Sequence, residues 1–195
     1  MSIDHDIRMI CSHLKRIENL RAAPQPPKSI DSDISRHIEL MVSNGAPHAF
    51  DLEPVFRSLE QSDLCSVPGL AFSYQFCSSM DSLEAMTTRL KAAIELGSVI
   101  EDLPHSDCDQ VEDWPKTFVP LATDENWGFA VNCSANSPRT VWLYDSFGCA
   151  QQVFDNLSEF FSALRYAYTD GHTFLDSSVQ YATTSQGVRF IDWSQ

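Results

Sequence analysis

Cysteine and histidine, the side chains most often used as nucleophiles and metal ligands, each occur six times in the chain. Successive cysteines lie 54, 12, 31, 25 and 16 residues apart, so no pair has the C-x-x-C spacing of a zinc knuckle or a redox motif. The histidines form neither an H-x-H nor an H-E-x-x-H pair. We therefore interpret the cysteines as small apolar thiols and expect no metal, cofactor or disulfide.

Motifs of other reaction classes are missing as well. The G-x-S-x-G turn of a serine nucleophile and the G-x-x-x-x-G-K loop of phosphate transfer do not occur. Cys149, which follows Gly148, is the best-placed thiol, and His105 with Asp107 and Asp109 could form a weak cation site. A packed thiol and a solvated acidic loop are the simpler interpretations, and only the abundance of acids favours an active-site pair of carboxylates. The sequence predicts that the chain is not an enzyme.

The strongest signal in the composition is a surplus of acidic residues. Aspartate and glutamate outnumber lysine and arginine by 27 to 13, which gives a formal net charge of −14. Residues 100–195 carry −10 of this charge, with 14 acidic side chains against four basic ones. Such a field repels nucleic acids and anionic membranes, and it accelerates association with basic proteins. The alternative is that the charge only keeps the chain soluble and monomeric.

The candidate contacts for a basic partner are carboxylates in one loop and at predicted strand ends, together with one tryptophan. They are Glu101, Asp102, Asp107, Asp109, Glu112, Asp113, Asp124, Glu125, Trp127 and Asp145. Trp114 and Trp142 are further candidates, because interfaces often use aromatic anchors. Tryptophans of a sheet more often belong to the core, which is our interpretation of Trp142, whereas Trp127 stays open between core and interface.

The first element around these residues is an N-terminal helix. Its apolar residues recur at spacings of four and three, which predicts a single apolar face made of Ile3, Ile7, Ile10, Leu14 and Ile17. We expect this face to pack on the core, and contact with a partner is the alternative. Three prolines within residues 24–27 exclude helix and favour an extended linker. The predicted organisation is a helical arm at residues 1–23 and a single domain at residues 24–195.

The middle of the chain predicts two more helices and a strand. The first helix begins at residue 29 or 31 and ends at residue 42, before the helix-stopping pair Asn44-Gly45. Residues 70–76 alternate large apolar and small or polar side chains, as in a strand. The second helix is predicted to start at an Asp81 N-cap with Glu84 in the capping-box position. Its predicted buried face consists of Leu83, Met86, Leu90, Ala93 and Ile94.

After an acidic loop at residues 101–113, the apolar period changes from 3.6 to 2. Strands are predicted at residues 118–121, 127–133, 140–144 and 151–154, joined by short turns into an antiparallel meander. A closing helix starts at Asn156 with Glu159 in the capping-box position, and further strands are predicted near residues 170–176 and 188–193. The predicted fold is α+β, a central antiparallel β-sheet flanked by helices, with an N-terminal helical extension.

With its elements in this order, the chain resembles the SUKH superfamily, named for bacterial immunity proteins and a fungal regulator of cell-wall synthesis. Four pieces between residues 27 and 176 carry the resemblance. They are the proline-flagged helix closing on Asn-Gly (27–45), a tryptophan-led strand ending in F-V-P-L (114–121), an acidic turn into an aromatic-glycine strand (124–132), and a V-x-x-x-D strand (141–145) with a Phe-rich helix (157–164). The resemblance implies a SUKH-like α+β fold without a catalytic motif. It also implies binding and neutralisation of a toxin, often a nuclease or deaminase delivered between competing cells.

Charge and resemblance together predict an immunity-type protein of interbacterial competition. A toxin that attacks nucleic acid presents a basic cleft, which an acidic surface could fill with fast, steered association. The expected partner is a cognate basic effector protein, and the chain itself is expected to be a monomer or weak dimer. The alternatives are an intracellular scaffold or regulator of the same fold, and an enzyme or small-molecule-binding module.

The start of the chain predicts its compartment. Residues 1–6 lack the basic start of a signal peptide, and no apolar stretch approaches the length of a membrane-spanning helix. We therefore expect a cytoplasmic protein that contacts neither membrane nor nucleic acid.

Overall fold

The computed structural model describes residues 3–18, 31–66, 74–101, 110–124, 127–135, 139–145 and 149–169. Five α-helices occur in these ranges: α1 (Ile3–Glu18), α2 (Asp31–Ser43), α3 (Glu53–Gln61), α4 (Ser79–Leu96) and α5 (Leu157–Thr169). Two short 3-10 turns, Ala49–Leu52 and Leu64–Ser66, flank α3. The strands are β1 (Gln75–Phe76), β2 (Val99–Ile100), β3 (Gln110–Val111), β4 (Trp114–Pro115), β5 (Phe118–Asp124), β6 (Trp127–Asn132), β7 (Val141–Tyr144) and β8 (Ala150–Phe154).

Six of these strands form one antiparallel sheet in the order β1-β5-β6-β7-β8-β3. The run from β5 to β8 pairs each strand with the next along the chain, so the predicted meander is confirmed. The other two strands, β2 and β4, form a separate parallel ribbon. The protein therefore has the predicted α+β fold, with a central antiparallel sheet, flanking helices and an N-terminal helix.

The period-2 pattern of the strands produces two cores, one on each face of the sheet. Val131 and Leu143 point into the larger core, to which all five helices contribute, α4 through Met86. Ala130 and Trp142, their immediate neighbours in sequence, point into a smaller core on the opposite face. Since successive side chains of a strand point to opposite faces, the alternation follows directly from the pleat. We call the second cluster the small core; it consists of Ala93, Val111, Trp114, Phe118, Ala130, Trp142, Tyr144 and Ala150.

The N-terminal helix packs into the larger core. Ile7 and Ile10 are 1% and 0% exposed, which confirms the predicted inward face at these two positions. The carboxylate of Asp6, itself 0% exposed, accepts a hydrogen bond from Arg165 Nε of α5 at 2.6 Å and one from Ser162 Oγ at 3.1 Å. This buried ion pair ties the first described helix to the last. The predicted linker at residues 24–27 lies outside the described residues, so the division at residue 23 stays a prediction.

The start of α4 differs from the prediction. The N-cap is Ser78, and Asp81, predicted as the cap, occupies the third helical position. The two residues form a reciprocal capping box, in which Ser78 Oγ accepts from the Asp81 N–H at 3.1 Å and the Asp81 carboxylate accepts from the Ser78 N–H at 3.2 Å. The helix therefore begins one turn earlier than expected, because the sequence offers two suitable caps three residues apart.

The end of α4 also corrects the prediction. Met86 and Ala93 are buried as expected, but Ile94 is 61% exposed. Ala93 takes the inward position above the small core, and the next residue is rotated by about 100° around the helix axis. At the same end, Gly97 adopts φ +71°, the left-handed conformation that commonly closes a helix. The prediction of a buried Ile94 is therefore wrong.

The acidic segment is not a loop throughout. Gln110–Val111 forms the edge strand β3 on β8, and Val111 is buried in the small core. Residues 102–109 lie outside the described residues, as do residues 67–73 and the strands predicted near residues 170–176 and 188–193. Among the described helices, none combines the length and the apolar character that crossing a membrane requires.

Candidate protein-binding surface

Three predicted site residues lie side by side at one end of the antiparallel sheet. In the register of the strands, Asp124 of β5 is opposite Trp127 of β6. Gly128 is opposite Tyr144, so the residues next to them, Trp127 and Asp145, lie side by side. Asp145 in turn donates its N–H to the carbonyl of Cys149 at 2.9 Å.

The same row continues through the next two strands. Val111 of β3 is opposite Ala150 of β8, which places Glu112 beside Cys149. We call this row the acidic rim; it consists of Asp124, Trp127, Asp145, Glu112 and Asp113. It crosses five neighbouring strands, a span of about 19 Å at the usual strand spacing. The sheet thus collects, from separate segments, carboxylates that the sequence could name only one by one.

The thiol of Cys149 shows how close these carboxylates lie. Its pKa is raised above the ordinary cysteine value by burial and then by the negative charges of Asp145, Glu112 and Asp113. A nucleophilic cysteine needs the opposite environment, one that stabilises the thiolate. The thiol candidate of the sequence is therefore surrounded by groups that keep it protonated.

The members of the acidic rim differ in how tightly they are held. Asp145 is held firmly at the end of β7, because its carboxylate accepts the Cys149 N–H at 3.0 Å and its carbonyl accepts Arg89 Nη1 at 3.0 Å. Asp124 and Glu112 are exposed, and Asp113 and Trp127 are half-buried. Among the described residues, neither Glu112 nor Asp113 forms an ion pair. These two carboxylates are the rim members best placed to meet a partner.

The remaining predicted site residues lie apart from the rim or outside the described ranges. Glu101 follows β2, and its carboxylate pairs with Lys116 Nζ while its side chain stays 84% exposed. The others, for which the structure gives no position, are Asp102, Asp107, Asp109 and Glu125. His105 of the possible cation site falls in the same undescribed segment. Within the described ranges, no group of three acidic, histidine or cysteine side chains could hold a metal ion.

Two of the candidate aromatic anchors are core residues. Trp142 is 1% exposed, as interpreted from the sequence. Trp114 is 3% exposed and packs edge-on against Phe118 and Tyr144, with ring centroids 5.6 and 5.3 Å away. Because its ring is enclosed, Trp114 belongs to the core, and the suggestion that it anchors an interface is wrong. Trp127, half-buried within the acidic rim, is the tryptophan of the three that a partner can reach.

The guanidinium of Arg89 joins the rim to the small core. Its Cζ lies 4.3 Å from the ring centroid of Tyr144 and 5.4 Å from that of Trp114. These are cation–π distances, and they hold α4 against the sheet next to Asp145. The Tyr144 ring in turn lies across Gly128, where an added Cβ would come within 2.8 Å of the tyrosine hydroxyl and 2.2 Å of the Ala122 carbonyl. Gly128 is required here for close approach of the neighbouring strands.

A groove between α1 and α3 has no counterpart in the predictions. It encloses about 420 Å³ and is lined by Arg8, Phe50, Arg57 and others. Two of its charged groups already have partners within the chain, since Arg57 pairs with Glu53 at 2.9 Å and Asp4 accepts a hydrogen bond from Ser58 at 2.7 Å. No local sequence pattern predicts this groove, because a groove between two helices depends on their packing angle.

The comparisons with known proteins leave the family open. No protein-family model matches the chain, and no curated protein matches its sequence. The resemblance to the SUKH superfamily therefore stays a prediction.

Proposed function

We propose that the chain is an immunity-type protein, which binds a basic effector protein and neutralises it by covering its cleft with the acidic rim. The observation that carries the proposal is the convergence of Glu112, Asp113 and Asp145 on one point of the sheet end, beside Cys149. A patch of like charge that the fold assembles from separate segments is a surface suited to a partner of the opposite charge.

The three basic residues described between residues 110 and 169 support this proposal, because each forms an ion pair away from the rim. Lys116 pairs with Glu101, Arg139 with Asp51 at 2.6 Å, and Arg165 with Asp6 at 2.6 Å. Each of these bases is matched to one acid, so they do not offset the negative charge of the rim. Arg89 lies beside Asp145 and offsets part of the rim charge, and the remaining carboxylates attract a basic protein that approaches this end of the sheet.

The proposal predicts that reversing charge on the rim slows association. The double variant Glu112→Lys/Asp113→Lys should associate several-fold more slowly with a basic effector at low salt, and the difference should shrink at high salt. The measurement is stopped-flow or surface-plasmon association kinetics at several salt concentrations. Because we expect a cognate effector to be encoded by a neighbouring gene, the protein to test is the product of an adjacent reading frame with a basic net charge.

The matched control is Asp33→Lys/Glu39→Lys, which changes net charge equally on exposed positions of α2. It should alter the association rate much less. Equal slowing by both variants would mean that only net charge matters, and it would remove the rim from the proposal. Capture of endogenous regulatory proteins without any effector would instead favour the scaffold alternative.

A further inference from the structure

The exposed end of α4 is the feature that neither the charge nor the fold accounts for. Ile94 and Leu96 are 61% and 81% exposed, and Leu96 has the highest exposure of the large apolar side chains in the described residues. Single exposed apolar residues are common on protein surfaces, whereas here two exposed apolar side chains flank the tip of one helix. Residues two apart project on different sides of a helix, so the pair frames the helix end instead of forming a stripe.

Within the described ranges, nothing packs against Gly97 at the tip of this helix. A Cβ built on Gly97, the residue that closes the helix, would have no atom of the described structure within 4 Å. The chain then turns directly into β2, because Ser98 donates its N–H to the Ala93 carbonyl at 2.9 Å and its own carbonyl accepts from Trp114 at 3.1 Å. The end of α4 is therefore rigidly attached to the small core, although it is exposed.

The negative charge at the C-terminal end of α4 favours a basic partner. The last turn of α4 contains no basic side chain, so the partial negative charge of the helix terminus is not neutralised by the helix itself. Glu95 lies between the two apolar residues and is exposed. Lys91, one turn earlier, is the nearest exposed cation on the helix. A partner that covers this surface should therefore present lysine or arginine around an apolar side chain.

The apolar end of α4 and the acidic rim border the same small core. Ala93 and Val111 are both members of that core, and their neighbours in sequence, Ile94 and Glu112, are exposed. The rim also contacts α4 directly, through the hydrogen bond from Arg89 to the Asp145 carbonyl. Interfaces commonly combine an apolar centre with a charged margin.

We propose that Ile94 and Leu96 form the apolar anchor of the partner-binding surface, and that the partner docks an amphipathic basic segment there, its apolar side chain against α4 and its cations towards Glu95 and Glu112. This inference rests on the proposed function and adds to it the apolar half of the interface. Charge on the rim governs how fast the partner arrives, and the apolar contact governs how slowly it leaves.

The test uses the full-length protein and a synthetic helical peptide that carries lysines on one face and leucines on the other. A second peptide, in which serines replace the leucines, is the matched probe. In ¹⁵N NMR titrations the lysine–leucine peptide should shift amides of residues 94–100 and 112–113. Fluorescence anisotropy should show that Ile94→Ser/Leu96→Ser weakens its binding by about tenfold or more, as expected for loss of a central apolar contact. Binding of the lysine–serine peptide should be weaker and unaffected by this change.

The control variant is Met80→Ser, which removes an equally exposed side chain (62%) at the other end of the same helix. It should leave peptide affinity within about twofold, as expected of a side chain outside the anchor. Unchanged affinity in Ile94→Ser/Leu96→Ser, or amide shifts centred on the groove between α1 and α3, would overturn the anchor.

Two further outcomes separate this inference from the proposed function. If Glu112→Lys/Asp113→Lys weakens peptide binding while Ile94→Ser/Leu96→Ser does not, the anchor is wrong and the acidic rim stands. If the reverse holds, the rim is wrong as the electrostatic partner site and the anchor stands alone. Analytical ultracentrifugation tests whether a second copy of the chain binds this surface instead. A dimer of the unmodified protein that Ile94→Ser/Leu96→Ser dissociates would overturn the proposal.

Discussion

At the scale of single residues, Cys149 illustrates how an acidic surface suppresses chemistry. Burial and the carboxylates of Asp145, Glu112 and Asp113 raise the pKa of its thiol, so the reactive thiolate is scarcer at neutral pH than for an unperturbed cysteine. Cys77 and Cys133 have their pKa raised to about 12 by burial first of all. These environments agree with our interpretation of the cysteines as small apolar thiols.

The Cys149 environment leads to a prediction about its reactivity. Neutralising the two flanking carboxylates in Glu112→Gln/Asp113→Asn should lower the pKa of the thiol, raise the thiolate fraction at pH 7 and speed alkylation by iodoacetamide several-fold. The reagent is uncharged, so the change reports the thiol and not attraction of the reagent. Mass spectrometry of the modified peptide measures the rate, and Cys149→Ser confirms which thiol reacts. An unchanged rate would mean that these carboxylates do not act on the thiol.

At the scale of elements, the predictions succeeded where a local period decides which face is buried. The alternation of Phe129 and Ala130 between the two cores follows from the pleat, and Met86 and Ala93 follow the helical repeat. The strands β2 and β3 were missed because two-residue strands are too short to show a period, and the segment expected as one tryptophan-led strand is divided into β4 and β5. The burial of Ile94 was predicted wrongly, because the burial of a residue at a helix end depends on which other elements pack there, and a local pattern does not contain this information.

The acidic rim shows the same limit at the candidate site. Each carboxylate was named from the sequence, but their assembly depends on the register of β3, β7 and β8. The pair that places β3 in this register, Val111 with Ala150, joins residues that are far apart in the sequence. A register shift of one residue would turn every side chain of a strand to the other face. The sequence could therefore predict the charge of the site and not its shape.

The contact between α1 and α5 carries a prediction at this scale. Removing the buried carboxylate in Asp6→Ala leaves the guanidinium of Arg165, whose side chain is only 11% exposed, without its partner. Breaking a buried ion pair in this way should lower the free energy of unfolding by about 3–5 kcal/mol. Urea denaturation followed by tryptophan fluorescence and circular dichroism measures the change.

Two further variants decide whether the buried charge is the cause. Asp4→Ala removes a carboxylate from the same helix whose contact with Ser58 is exposed, and it should lower the free energy of unfolding by about 1 kcal/mol or less. Asp6→Ala/Arg165→Met removes both charges and should recover part of the loss, since no unpaired ion remains. If the double variant loses as much unfolding free energy as Asp6→Ala and Arg165→Met lose together, the two charges do not act as a pair.

At the scale of the whole molecule, the net charge of −14 sets opposing demands on stability and binding. Repulsion among carboxylates destabilises the compact state, and the acidic rim concentrates part of it at one end of the sheet. Salt screens exposed charges over about 10 Å at 0.1 M but affects buried pairs such as Asp6–Arg165 much less. Raising NaCl from about 10 to about 150 mM should therefore increase the midpoint of thermal unfolding in calorimetry, because repulsion is weakened while the buried pair persists.

The two charge-reversal variants locate the source of this repulsion. The net charge is the same in Glu112→Lys/Asp113→Lys and in Asp33→Lys/Glu39→Lys. If overall charge alone sets the salt-induced rise of the unfolding midpoint, this rise should become smaller by the same amount in both variants. A smaller response in the rim variant alone would show that the repulsion is concentrated at the sheet end, the surface proposed to meet a basic partner. A midpoint that falls with salt in the unmodified protein would contradict this account, because attraction between exposed pairs would then outweigh repulsion. Where repulsion does dominate at the rim, a basic partner relieves it on binding, and this relief adds to the affinity of the complex.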